Sequence, residues 1–410
     1  MKKIIGLTII CMFIFPLTTC FAAPYKDMKA AFIREGNLWI YQMEKERKIT
    51  TSGNVIGEPQ WSKDGQYLAY QMTAPSQLND QEQQTEIWAY HIKTGKTQQV
   101  FRNGHSPTWA PQKNILAYTD FRTLDLSDLT NFYNIELGID AFQWFPKSNG
   151  FLLSTSGNLE ADGWKSAKLY KKEVQPPYTD LMQSSSIPFF TLPKEVGVGN
   201  NKIIPINASD FMYSPSGKWI SFITSMTASI SMDSNMLCIL SDDGKKFEVL
   251  DEIIWQVGKP KWAPSKDTLA YIEGGGRLVF GLNNKNLKTK DMPANGTYTP
   301  KHFADLDFDW LDDESIVVSR IPEAEWNNDF TKQPLPSLYT IKMQNNSQKK
   351  ITTPSKDYGD YEPKFVSSVH KIIWFRGTSL VDNNRNIWMA NPDGSEATEW
   401  LKNVESIAIY

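Results

Sequence analysis

The sequence predicts an all-β fold, a β-propeller of four-stranded antiparallel blades, and three observations predict it. A phrase recurs along the chain: "GEPQWSKDGQYLAYQM" from Gly57, "HSPTWAPQKNILAYTD" from His105 and "GKPKWAPSKDTLAYIE" from Gly258. Copies are spaced by about 48 residues, which is room for one blade. Helical periodicity is nearly absent, which argues against an α/β chain.

Each element of the repeat has a local reason. The anchors Trp61, Trp109, Trp144, Tyr213, Trp262, Trp310 and Phe365 end a first strand. Polar turns such as "SKDG", "SPSG" and "APSK" follow, with the Gly, Pro, Ser and Asp that a tight hairpin requires. Second strands such as "YLAYQM", "WISFIT" and "KIIWFR" are β-branched and aromatic. Third strands are read at "EIWAYHI", "MLCILSD", "SLYTIKM" and "NIWMANP", and short fourth strands at "TQQVF", "KFEVL" and "KKITT".

The ends imply ring closure. Residues 29–50 match strands two to four of a blade with no first strand, and the chain finishes in "NVESIAIY". The C-terminal strand is therefore expected to enter the N-terminal blade as its innermost strand, which removes two free sheet edges. Seven full units plus this shared one make eight blades. Seven is the alternative, because the interval from Trp109 to Trp144 is short.

Composition bounds the rest. Aromatic residues make up 12% of the 410 residues, ample for a packed core. The net charge of -3 implies no polyelectrolyte partner such as nucleic acid. Lys2, Lys3, an apolar run over residues 4–15 and a small-residue site after Ala22 read as a secretory signal, too short to span a membrane. This divides the chain into a signal peptide, 1–22, and a single propeller domain, 23–410. "LTTC" ending at Cys20 is an imperfect lipoprotein box, so the secreted or envelope-associated protein has a lipid-anchored alternative through Cys20. Beyond the signal only Cys238 remains, in an apolar strand, and reads as a buried thiol.

The run from Trp61 to Tyr90, "W-S-x-D-G-x-x-L-A-Y" followed by "I-W-x-Y", resembles the TolB-type WD40-like β-propeller repeat. The resemblance covers nearly all of the chain after the signal. It implies an exported propeller but no particular activity, since that family spans periplasmic TolB, peptidase-associated propellers and other exported proteins. The chain departs from TolB in leaving no room for an N-terminal α/β domain, and from the peptidases in having no hydrolase domain after the repeats.

A search for chemistry finds no catalytic constellation. There is no H-E-x-x-H, no G-x-S-x-G elbow and no phosphate cradle, since Gly274–Gly276 precede no helix. The repeat itself places candidates. Calling the face where first strands begin the top, the residue three or four before each anchor lies at the top mouth of the channel. These residues are Glu58, His105, Asp140, Asp210, Asp307 and Glu362, with Lys259 the exception. They predict an acidic funnel able to hold a cationic ligand or a bound cation. The alternative is that such residues tie turn amides. His105 and His302 are weighed as a joint metal pair.

Long loops between strands two and three also emerge on top, and Trp164, Trp326 and Phe330 within them could stack on a sugar or anchor a peptide. Residues 175–201 read as an excursion inside one blade, with "KIIPI" from Lys202 as its fourth strand. The resulting expectation is an exported, monomeric binding module without a resident cofactor. It would hold a protein, peptide or glycan on its top face at the cell envelope. The alternative is a metal-assisted lyase or glycan hydrolase that uses the acidic mouth.

Overall fold

Short polar side chains build the turn after each anchor. Ser62 Oγ donates to Asp64 Oδ1 at 2.7 Å and accepts from the Tyr67 N–H at 2.9 Å, while Gly65 supplies the left-handed residue at φ 64°. Ser214 repeats the device, accepting from the Trp219 N–H at 3.3 Å beside Gly217 at φ 71°.

These hairpins assemble, in a computed structural model, into eight four-stranded antiparallel sheets. The structure describes residues 28–410 apart from 77–81, 179–183, 227–233, 255–256, 277–281, 292–294, 326–328 and 330–331. Residues 1–22, expected to be a signal, with Cys20 among them, and Trp326 and Phe330 thus lie outside the described residues. No described helix is long and apolar enough to cross a membrane.

Blade 1 is Lys29–Arg34, Asn37–Gln42 and Lys45–Lys48, completed on its inner edge by Ser406–Ile409. Blades 2 to 8 follow as residues 55–101, 105–137, 141–191, 207–254, 261–297, 303–350 and 359–404. Closure runs through Ala31 opposite Ala408 and Phe32 opposite Ile407. Blade 3 has all four strands. Its second and third strands, Leu116–Asp120 and Thr123–Ser127, are joined by two residues only, which accounts for the short Trp109 to Trp144 interval.

The core is a set of seams. Successive strand residues point to opposite faces, and each blade is covered on both faces by neighbours. In blade 8, Ile373 and Phe375 pack with blade 1, while Ile372 and Trp374 pack with blade 7. Ala30 and Phe32 face blade 8, and Ala31 and Ile33 face blade 2. Every one of the eight seams has its own apolar cluster, the closing seam included. Cys238 is buried in the seam between blades 4 and 5.

The anchors bridge the seams by hydrogen bonds. Trp109 Nε1 donates to Gln60 O at 3.0 Å, Trp144 Nε1 to Thr108 O at 3.1 Å and Trp310 Nε1 to Lys261 O at 3.0 Å. Trp262 Nε1 reaches Met212 O at 3.2 Å, and Trp61 Nε1 reaches Ala408 O at 3.3 Å across the closure. In each pair the acceptor lies on the first strand of the preceding blade. Trp109, Trp144 and Trp310 are buried, whereas Trp61 and Trp262 are half-buried.

Two expectations are corrected. The fourth strand of blade 4 is Ile187–Thr191, paired with Lys168–Glu173, and not the run from Lys202. Asn201–Ile203 instead forms a small hairpin with Val196–Val198, whose Val196 and Ile203 cover the seam to blade 5. Both runs are short and apolar, so pattern alone did not separate them. Pro188 is tolerated because the outermost strand needs no further ladder bond. In blade 2, part of the long top loop is sheet: Tyr67–Pro75 and Gln83–His91 stay paired out to Pro75 and Gln83.

Candidate functional site

The top mouth rests on a repeated backbone irregularity. First strands of blades 2, 3, 5, 7 and 8 each carry a register shift near their start. A bulge leaves a residue unpaired and re-aims its side chain. Left-handed residues mark it at Gly57, Ser106, Asp210 and Glu362, with φ of 74°, 54°, 51° and 50°. For Glu362 this conformation costs roughly 1–2 kcal/mol. Asp210 and Glu362, both expected at the mouth from sequence, are thus the bulged residues themselves.

The mouth is charge-balanced. Glu58 pairs with Lys364 at 3.1 Å, Asp140 with Arg122 at 3.1 Å and Asp210 with Lys259 at 3.6 Å. Asp307 meets Lys261 at 3.9 Å, and Glu362 meets Arg385 at 2.7 Å. The five expected carboxylates therefore each have a basic partner, so the funnel expected to be acidic but for Lys259 carries both signs of charge. Among the described residues a backbone amide takes a share at Asp307, which accepts from the N–H of the next strand residue, Phe308, at 2.8 Å. Asp140 and Asp210 are also bonded by the hydroxyls of Ser156 and Ser209.

Most of these basic partners went unnoticed in the sequence. Lys261 and Lys364 both stand directly before an anchor, so the same repeat that located the acids contained the signal. Arg385 is the most constrained. It is 7% exposed and stacks 4.3 Å from the Phe375 ring, and its Nε and Nη1 are buried without a partner.

Two adjoining openings form the mouth. One of about 470 Å³ is lined by Asp140, Asp210 and Lys259, and one of about 400 Å³ by Glu58, Asp307, Glu362, Lys261 and Lys364. Lys259 lines both. Below them Gln143, Met212 and Lys261 also line a lower cavity and so form a waist in the channel. Burial works against the Lys261 ammonium, but Asp307 and Asp309 outweigh it and hold its pKa above the usual lysine value. Burial raises the Asp307 pKa, with Lys261 opposing.

His105 stands apart from His302. It is exposed, its strand partner is Thr119, and the charge it feels is that of Asp120 in its own blade. Among the described residues, no group of three His, Cys, Asp or Glu is placed to hold a metal ion. Trp164 sits half-buried on a two-strand hairpin, Gly163–Trp164 against Leu159–Glu160, in the loop between strands two and three of blade 4.

The fold and channel define the class of protein, an eight-bladed propeller whose first strands surround a charged mouth. No family model matches the chain, and no curated protein matches it. Among solved structures the chain is similar to a eukaryotic initiation factor, with a TM-score of 0.57, 14% identity, and coverage of 92% of this chain and 86% of that one. An oligogalacturonate lyase in complex with manganese gives 0.48 and 10%, with 92% and 84% covered. TolB from Acinetobacter baumannii gives 0.40 and 11%, with 94% and 67% covered. At these identities the likeness is one of fold.

Proposed function

We propose that the chain is an exported binding module that holds a protein, peptide or glycan ligand across its top mouth at the cell envelope. The observation that carries this reading is the ring of paired charges around two adjoining openings. The Glu58–Lys364, Asp140–Arg122 and Asp210–Lys259 pairs are about half exposed and contribute little to stability, about 0–1 kcal/mol each, so a fold need not keep these three for strength. They do present donors and acceptors at fixed spacing on a rigid ring, which suits a polar ligand bearing both signs of charge.

The test is binding of a panel of charged peptides and soluble glycans to the immobilised protein at low and high salt. The double variant Asp210→Asn with Asp307→Asn should bind more weakly and with less salt dependence, at an unchanged melting temperature. Turnover of any panel member, or binding indifferent to the double variant, would defeat the reading. Export has its own test. The protein recovered from expressing cells should begin at Ala23, whereas a lipid-modified Cys20 at its start would make it a lipoprotein.

A further inference from the structure

We propose that the lower cavity is a second binding site, one that takes an arginine or lysine side chain of a peptide entering from the face opposite the top mouth. At about 900 Å³ it exceeds either upper opening and lies within the size range that holds peptide-like or drug-sized ligands. It opens among the turns that join first to second strands, and the waist at Gln143, Met212 and Lys261 separates it from the top mouth.

Its walls are the repeat anchors themselves. Trp144, Tyr213, Trp262, Trp310 and Phe365 contribute from five consecutive blades. The three indole N–H groups are already committed to carbonyls of the preceding blades, at 3.1, 3.2 and 3.0 Å. Trp144 and Trp310 are buried, so the ring surface open to the cavity is chiefly that of half-buried Tyr213, Trp262 and Phe365, and the negative face of such a ring attracts a cation and not an anion.

The charged lining points the same way. Asp309, Asp312 and Asp313 stand against a single ammonium, Lys261. That ammonium is 3.4 Å from Asp309 and also donates to the Phe308 carbonyl, so it is bound within the wall. Pro111, Pro146 and Pro264, from the Trp-x-Pro turns of blades 3, 4 and 6, bring rigid apolar surface without a backbone N–H. Asp309, Asp312 and Asp313 each also accept a backbone N–H, from Phe365, Glu314 and Ser265, yet the lining remains aromatic and net negative, which is the complement of a guanidinium or ammonium on an aliphatic stem. This reading is independent of the top mouth.

The probe is the capped tripeptide Pro-Arg-Pro, with its citrulline counterpart as the uncharged control. The indole resonances of Trp144, Trp262 and Trp310 should shift saturably with the arginine peptide, and the citrulline peptide should bind about tenfold or more weakly. The double variant Asp312→Asn with Asp313→Asn should weaken binding by a similar factor. Because Asp313 also bonds the Ser265 N–H at 2.8 Å, that variant is read only alongside its melting curve, and the wild-type resonances carry the test if it unfolds. Asp210→Asn, confined to the top mouth, should leave this binding unchanged. Indole resonances that stay still at millimolar peptide, equal binding of the citrulline peptide, or a folded Asp312→Asn/Asp313→Asn variant of full affinity would each overturn the proposal.

Discussion

Blades 7 and 8 each bury an aspartate opposite an arginine, whereas blade 3 buries Asp125 beside a half-buried Asp120, with no lysine or arginine paired to either among the described residues. Asp305 faces Arg320 across two strands and receives its Nη2 at 2.9 Å; Asp360 faces Arg376 and receives Nε at 2.7 Å and Nη2 at 3.0 Å. Both aspartates lie five residues before their anchors. In blade 3 that position is Gly104, and the carboxylates come from Asp120 and Asp125 on the second and third strands. Asp125 is 1% exposed and is bonded by Asn134 at 2.7 Å, while Asp120 Oδ1 and the neighbouring Tyr118 hydroxyl are buried without partners.

The difference shows what a bidentate guanidinium does inside a seam. It satisfies both carboxylate oxygens and sets a positive charge against the negative one in a dry environment. Without it, burial pushes the Asp125 pKa up to about 6, the Asn134 hydrogen bond only partly opposing and the charge of Asp120 adding to the rise. The Asp120 pKa is raised by burial too, with His105 opposing.

The largest expected effect comes from breaking the paired side. Arg320→Ala should lower stability by about 3–5 kcal/mol, because it strands a fully buried carboxylate. Denaturant unfolding checks this, and a loss near zero would mean that Asp305 does not depend on its partner.

Next is the unpaired side, where the sign is opposite. The folded pKa of Asp125 lies above its unfolded value, so the folded state holds the proton more tightly. Stability should therefore fall as pH rises from about 4 to about 6 and level off above, by up to about 3 kcal/mol for the shift in question. Asp125→Asn keeps an acceptor for Asn134 and removes the charge, so it should stabilise the protein at neutral pH and flatten this slope. Melting curves from pH 4 to 8 decide it; a parent and a variant with parallel pH profiles would show that Asp125 ionises at no cost.

Asp120→Asn should act in the same direction but more weakly, since this carboxylate is only half-buried. The smallest effect belongs to the mouth. Glu58→Gln should change stability by no more than about 1 kcal/mol, because its pair with Lys364 is partly exposed. A larger loss there would make the mouth a structural device like blades 7 and 8.

The contrast also explains what was readable beforehand. "SIVVSR" and "KIIWFR" both end in arginine at the same repeat position, and Asp305 and Asp360 recur at another, yet neither pair is close along the chain. Glu58, Asp140, Asp210, Asp307 and Glu362 were found because the repeat fixes their height on the first strand. Lys364 and Arg122 escaped notice because a counter-ion is defined by distance across strands and blades.

The sequence by itself determined the ring: seven anchored units, a shared blade and a closing strand. It could do so because period-two alternation, turn chemistry and the return of an aromatic anchor in seven units are local properties of the chain. The tertiary structure alone decided which of two apolar runs became the fourth strand of blade 4, how the mouth carboxylates are neutralised and that the anchors wall a lower cavity. Those outcomes depend on side chains from different blades meeting at a few ångströms, and strand patterning holds no information about which distant residue will stand opposite.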